Sequence, residues 1–161
     1  MSWSRRGAAL AVLFAAGCGF TPALAPSGPA AGLRGEVEVV APVTRSGYFL
    51  TRRLEERLGL PATPAYRLRV QLTQGAQVTG IPADRVTARA IIVGQANWEL
   101  LDIASGRVIE RGDVQSFTGL SSTSTTAATR EALADANQRL MVILADRIVA
   151  DLLATAPGWR A

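Results

Sequence analysis

The side chains able to do chemistry are few, and their types narrow the chemistry at once. The chain of 161 residues has no histidine, and all 17 of its basic residues are arginine. Without histidine neither a Ser-His-Asp nor a Cys-His triad can be assembled. A His/Cys zinc site is excluded in the same way. The single cysteine, Cys18, rules out a disulfide within the chain. Glu55 and Glu56 are adjacent on a helical stretch and diverge, so they cannot act as the facing acid pair of a glycosidase. No enzymatic activity, cofactor or metal is therefore expected. Hydroxyls cluster in Leu120–Thr126 (LSSTSTT), but no base stands beside them in sequence to activate one. A loop with a helix cap accounts for them. Two chemistries remain. Cys18 can carry a lipid, and arginines placed together can grip phosphate through paired N–H donors.

The position of Cys18 supports the first. Arg5 and Arg6 precede a ten-residue apolar run, Gly7–Ala16 (GAALAVLFAA). That is the length and polarity of a secretory signal. Ala15-Ala16-Gly17-Cys18 resembles a lipobox, the cleavage motif that ends at a cysteine to be lipidated. Ala23-Leu24-Ala25 offers a competing A-x-A site whose use would release a soluble protein. Cys18 directly follows the apolar run, whereas Ala25 lies beyond Thr21-Pro22. A lone cysteine in an exported chain also needs a purpose. Removal of residues 1–17 leaves 144 residues and lowers the net charge from +4 to +2, because Arg5 and Arg6 leave. A diacylglycerol and a further acyl chain on Cys18 would anchor the chain firmly, since two chains already suffice. Gly19 replaces the aspartate that favours inner-membrane retention in well-studied lipoproteins, so outer-membrane placement is expected. No apolar run reaches the roughly 18 residues of a membrane-spanning helix.

The rest of the chain must position the arginines. Residues 18–35 are rich in Pro, Gly, Ala and Ser and read as a lipidated cysteine with a flexible tether. Residues 36–156 read as one domain, and 157–161 as a tail. Glu36–Val40 is a short strand. Between Thr44 and Leu58 the period turns helical, with Leu50, Leu54 and Leu58 on one face and Gly59 and Pro61 as stop signals. Arg52, Arg53, Glu55, Glu56 and Arg57 lie mostly off that face and suit a solvated, salt-bridged surface. Tyr66–Thr73 alternates as a half-buried strand. Gly75–Asp84 reads as a connection. Val86–Leu101 is a long strand whose even face carries small residues, so a helix can approach it closely. Arg107–Phe117 is a fourth strand, with a bulge expected near Gly112. A long amphipathic helix covers roughly Ala127–Ala154. This order, β-α-β-β-β-α, implies an α+β two-layer sandwich. A four-stranded, mostly antiparallel sheet carries two helices on one face and leaves the other face open.

On that open face the arginines converge. Pairing Tyr66–Thr73 with Val86–Leu101 so that the buried even faces coincide fixes the parity. A hairpin centred near Thr79 and Gly80 sets Arg89 opposite Arg69 or Gln71, with Arg67 on the same face and Arg85 beside the strand start. Opposed like charges destabilise a sheet. An anion relieves them, or a carboxylate such as Glu99 or Glu110 does.

Several of these stretches together resemble the lipopolysaccharide-assembly lipoprotein family, LptE. They are Cys18-Gly19-Phe20-Thr21-Pro22, the RRLEERLG helix at Arg52–Gly59, the Tyr66-Arg67-Leu68 strand and the closing helix REALADANQRLMVILADRIVADLL. The resemblance spans nearly the whole processed chain, and the order and length of the elements carry it. It implies a plug inside a large LptD-like outer-membrane β-barrel, helping that barrel assemble and insert lipopolysaccharide. The implied partners are the barrel, lipopolysaccharide and, through the anchor, the membrane; nucleic acid is not among them. The implied states are a monomer when free and a heterodimer with the barrel. Arg67, Arg69, Arg89 and Arg85 become candidates for the lipopolysaccharide phosphates. A generic envelope lipoprotein that adapts another outer-membrane protein is the alternative reading.

Overall fold

The computed structural model describes residues 28, 30–31, 33–80, 88–122 and 126–159. The signal segment, Cys18, both cleavage sites and Arg85 lie outside the described residues. Six elements follow in the expected order: β1 (Val37–Val40), α1 (Arg45–Leu58), β2 (Tyr66–Gly80), β3 (Ala88–Asp102), β4 (Val108–Ser122) and α2 (Thr126–Trp159). The four strands form one sheet in the order β1-β2-β3-β4. β1 runs parallel to β2, and the other two pairings are antiparallel. Parallel neighbours need a crossover, and α1 supplies it.

Local signals set the limits of α1. The Thr44 hydroxyl accepts a hydrogen bond from the Gly47 amide at 3.0 Å, the usual N-cap contact. Gly59, at φ +79°, ends the helix and donates its N–H to the Glu55 carbonyl at 2.8 Å. Leu50, Leu54 and Leu58 are fully buried, each worth about 1.5–3 kcal/mol of transfer free energy.

The core lies between the helices and the even-numbered face of the sheet. Leu68, Val70, Ile92, Ala96, Trp98, Leu100 and Val114 share one buried cluster with Leu140, Met141, Leu144, Ile148 and Leu152 of α2. Small residues on β3 let α2 come close, as the sequence anticipates. A Cβ at Gly94 would stand 3.0 Å from Leu140 and 3.1 Å from Leu144. The expected bulge at Gly112 is absent. Gly112 lies opposite Trp98, and a Cβ there would meet the indole at 2.7 Å. The glycine makes room for a buried tryptophan. The ladder is irregular instead where Leu101 meets Val108.

α1 and α2 are joined by charge as well as by apolar contact. Arg53 grips both carboxylate oxygens of Asp146, at 3.1 and 3.0 Å, and touches Glu56 at 3.3 Å. These hydrogen bonds, that to Asp146 first, hold the guanidinium above its ordinary value. Arg57 approaches the same aspartate at 3.8 Å, and Arg52 pairs with Glu56 at 3.5 Å. The charged stretch is thus the salt-bridged surface expected of it, with one added role as a clamp between helices.

Four boundaries differ from the sequence reading. β4 runs past Phe117 to Ser122, and Leu120, expected in a loop, packs in the core, because the even positions 114–120 keep facing the helices. Ala30 and Leu33 are fully buried, so the folded unit starts inside the stretch read as tether. Apolar side chains among glycines and prolines still find core. α2 continues through Pro157 to Trp159, whose ring stacks edge-on against Tyr66 at 5.5 Å. That contact holds the last turn where a tail is expected. β2 does not stop at Thr73. It runs on to Gly80, because uncharged Gln and Thr positions continue the alternation across the glycines.

Candidate functional site

The face of the sheet turned away from the helices is the candidate site. Side chains alternate along each strand, so the odd-numbered residues of β2, β3 and β4 share that face. Cross-strand rows follow from the register. At the end next to β1 stand Glu38, Arg67 and Leu101 in one row, then Val40, Arg69, Glu99 and Arg111 in the next. Gln71, Asn97 and Asp113 follow, then Thr73, Gln95 and Gln115. Gly75, Val93 and Phe117 form the row beyond, with Gln77, Ile91 and Gly119 after it. The face therefore grades from charged, through amide-rich, to apolar.

At the charged end Arg67 forms an ion pair with Glu38 across β1 and β2, at 2.7 Å. Arg69 and Arg111 flank Glu99 from either side. Neither of these two guanidiniums makes an ion pair within 4.0 Å among the described residues. The row holds two exposed arginines around one half-buried glutamate, a net positive charge open to an anion.

Arg67 and Arg69 are thus brought close together, as predicted, but Arg89 does not join them. Arg89 pairs with Gly80 on β2 and Ser121 on β4. It lies roughly 35 Å from Arg69 along the sheet, at the usual strand rise. The physical reason is the longer β2, which moves the hairpin centre from residues 79–80 to near residue 84. Arg69 then meets Glu99 rather than Arg89. Glu99, one of the carboxylates expected there, thus stands across from Arg69 in the ladder but forms no ion pair with it among the described residues. Arg85 lies outside the described residues. Arg111 was missed, although its odd number on β4 places it on the same face by simple parity.

At the apolar end Phe117 is two-thirds exposed. Ile91, Val93, Gln115, Ser116, Phe117 and Arg147 line a shallow concavity of about 340 Å³. Arg147 reaches there from α2 and donates to the Gln115 carbonyl. Among the described residues no cluster of three or more His, Cys, Asp or Glu could hold a metal. No described helix is long and apolar enough to cross a membrane.

No family model matches the chain, and no curated protein matches it in sequence. Solved structures do share its fold. One is described as a lipoprotein from Caulobacter crescentus, with a TM-score of 0.67 and 23% identity, covering 77% of this chain and 92% of that one. The rare lipoprotein B of Shewanella oneidensis has a TM-score of 0.58 at 12% identity, covering 78% of this chain and 98% of that one. A minor lipoprotein of Acinetobacter baumannii has a TM-score of 0.56 at 14% identity, covering 75% and 92%. At such identities what is shared is the fold.

Proposed function

We propose that this chain is an outer-membrane lipoprotein, anchored through Cys18, that plugs an LptD-like β-barrel and assists lipopolysaccharide assembly. The observation that carries the reading is the fold shared with three bacterial lipoproteins, rare lipoprotein B among them. The sequence features resembling the LptE family point the same way. The open face suits the role chemically. Its positive row at Arg69 and Arg111 offers paired donors to phosphate. Its apolar end at Ile91, Val93 and Phe117 lies about 20 Å away along the strands. A ligand with a phosphorylated head and acyl chains would meet both. The role is binding and assembly, without a catalytic step.

Replacing Arg69 and Arg111 by glutamine tests the lipid-contacting part. Lost charge-assisted contacts of about 1.5–3 kcal/mol each should weaken lipopolysaccharide binding tenfold or more in a direct titration. Circular dichroism should stay unchanged. Undiminished binding would reject this face as the phosphate contact.

A further inference from the structure

The chain enters its folded unit at one end of the sandwich, and that end has a composition of its own. Gly35 donates its N–H to the Leu58 carbonyl at 2.7 Å, beside the last turn of α1. Arg34 lies against Gly59, where a Cβ would stand 3.3 Å from the arginine Cγ. Ile103, in the β3–β4 turn, donates its amide to the Ala65 carbonyl at 2.9 Å. The entry of the chain, the connection after α1 and the β3–β4 turn therefore meet at the same end. Trp159 joins them there by packing on Tyr66, the first residue of β2.

Three connections form this end: residues 33–36, 59–65 and 103–107. Their exposed positions are 34, 60, 62, 63, 65 and 103–107. These hold two arginines, Arg34 and Arg107, and no carboxylate. Glu36 is half-buried, and Asp102, the last residue of β3, is turned back onto Ser105. Neither exposed arginine forms a salt bridge among the described residues. Leu60 and Ile103 stand exposed between them in the same connections. Apolar and basic side chains without acids make up a surface suited to the interface of a bilayer.

The length of chain before this end selects the same partner. Gly28 stands ten residues after Cys18, a connection of at most about 35 Å. The 15-residue strands β2, β3 and β4 make the sandwich about 50 Å long. Resting on its opposite end would draw that connection out to about its full length, at the cost of its conformational freedom. Resting on this end leaves it slack.

We propose that this end of the free chain lies on the phospholipid bilayer that holds the anchor. Leu60 and Ile103 enter the interface, and Arg34 and Arg107 meet lipid phosphate. The proposal rests on lipidation of Cys18. The patch is small, and the anchor makes it effective by keeping the local concentration of bilayer high. The sheet then stands upright, with the row of Arg69 and Arg111 nearer the membrane than Phe117.

Contact quenching tests this. The full-length chain, processed in cells, is reconstituted without any barrel into vesicles of phosphatidylethanolamine and phosphatidylglycerol that carry a headgroup nitroxide. Acylated Cys18 holds its sulfur as a thioether, so an introduced cysteine is the only free thiol. Leu60→Cys, Ile103→Cys and Gln77→Cys, all at exposed positions, are labelled with bimane. Gln77 lies about 36 Å along β2 from Tyr66. Quenching should be at least threefold stronger at Leu60→Cys and Ile103→Cys than at Gln77→Cys. Adding Arg34→Glu and Arg107→Glu should lower it at Leu60→Cys at least twofold. Equal quenching at the three positions, or the strongest at Gln77→Cys, in a chain whose mass shows acylation overturns the docking and leaves the anchor standing. A chain whose mass shows no acyl groups overturns the anchor and the docking with it.

Discussion

Gly94→Ala probes the contact on which the two-layer packing depends. The added Cβ would sit 3.0 Å from Leu140 Cδ2 and 3.1 Å from Leu144 Cδ1, against an optimum near 3.5–4.0 Å for carbon pairs. Both leucines are fully buried, so neither can swing into solvent. Overpacking of this kind costs about 1–3 kcal/mol. Reduced unfolded-state entropy returns roughly 0.4–1 kcal/mol. A net loss of about 1–2 kcal/mol follows. With a urea slope of about 1–3 kcal/mol/M for a small domain, the midpoint should fall by about half a molar or more. Leu140→Ala alone should cost about 2–5 kcal/mol. In the double variant the new methyl enters space that Leu140 has vacated. The combined loss should therefore be smaller than the sum by about 1 kcal/mol, as residues in contact show. Denaturation curves of the four proteins close the cycle. A neutral or stabilising Gly94→Ala, or strict additivity, would refute the close approach of α2 to β3.

Asp146→Ala should remove the clamp between the helices and cost about 1 kcal/mol, the range of a well-formed but half-exposed ion pair. The loss should shrink in high salt, as chemical denaturation at two ionic strengths would show. Asp102 accepts hydrogen bonds from the Ser105 hydroxyl and amide at 2.7 and 2.6 Å, which hold its carboxyl below the usual range. A depressed carboxylate contributes fully above its unfolded value of about 3.9 and loses that contribution as pH falls through the lower folded value. Protection of the Ser105 amide from hydrogen exchange should therefore fade only in strong acid, and Asp102→Asn should abolish this acid dependence. Cys18→Ser should release the chain from membranes lacking its partner. Full retention in a fractionation assay would show that something other than lipid holds it.

The fold was largely legible because its signals are periodic. The leucine face of α1 and the alternation in β2 and β3 fixed which sides meet. The small residues of β3 announced the helix above them. Parity is robust to errors in length, so Arg67 and Arg69 were placed on the right face. Register is not robust in this way. Glycine at positions 75 and 80 imitates a turn, which puts the expected hairpin centre about five residues early and gives Arg89 a different neighbour from the one it has. Arg111 follows from parity once β4 pairs with β3, whereas the helix-borne Arg147 meets β4 from an element far away in sequence. No local pattern announces that contact. Ala30 and Leu33 gain their burial from the assembled core although composition suggests a tether, and Trp159 packs on Tyr66 beyond Pro157, which reads as a helix stop.

The central claim is that this chain serves a barrel. Affinity purification of the tagged chain from outer membranes, with identification of what accompanies it, tests that claim most directly. A stable, stoichiometric complex with one large, heat-modifiable β-barrel protein is the expected result. Repeated recovery of the chain without any such barrel would contradict it.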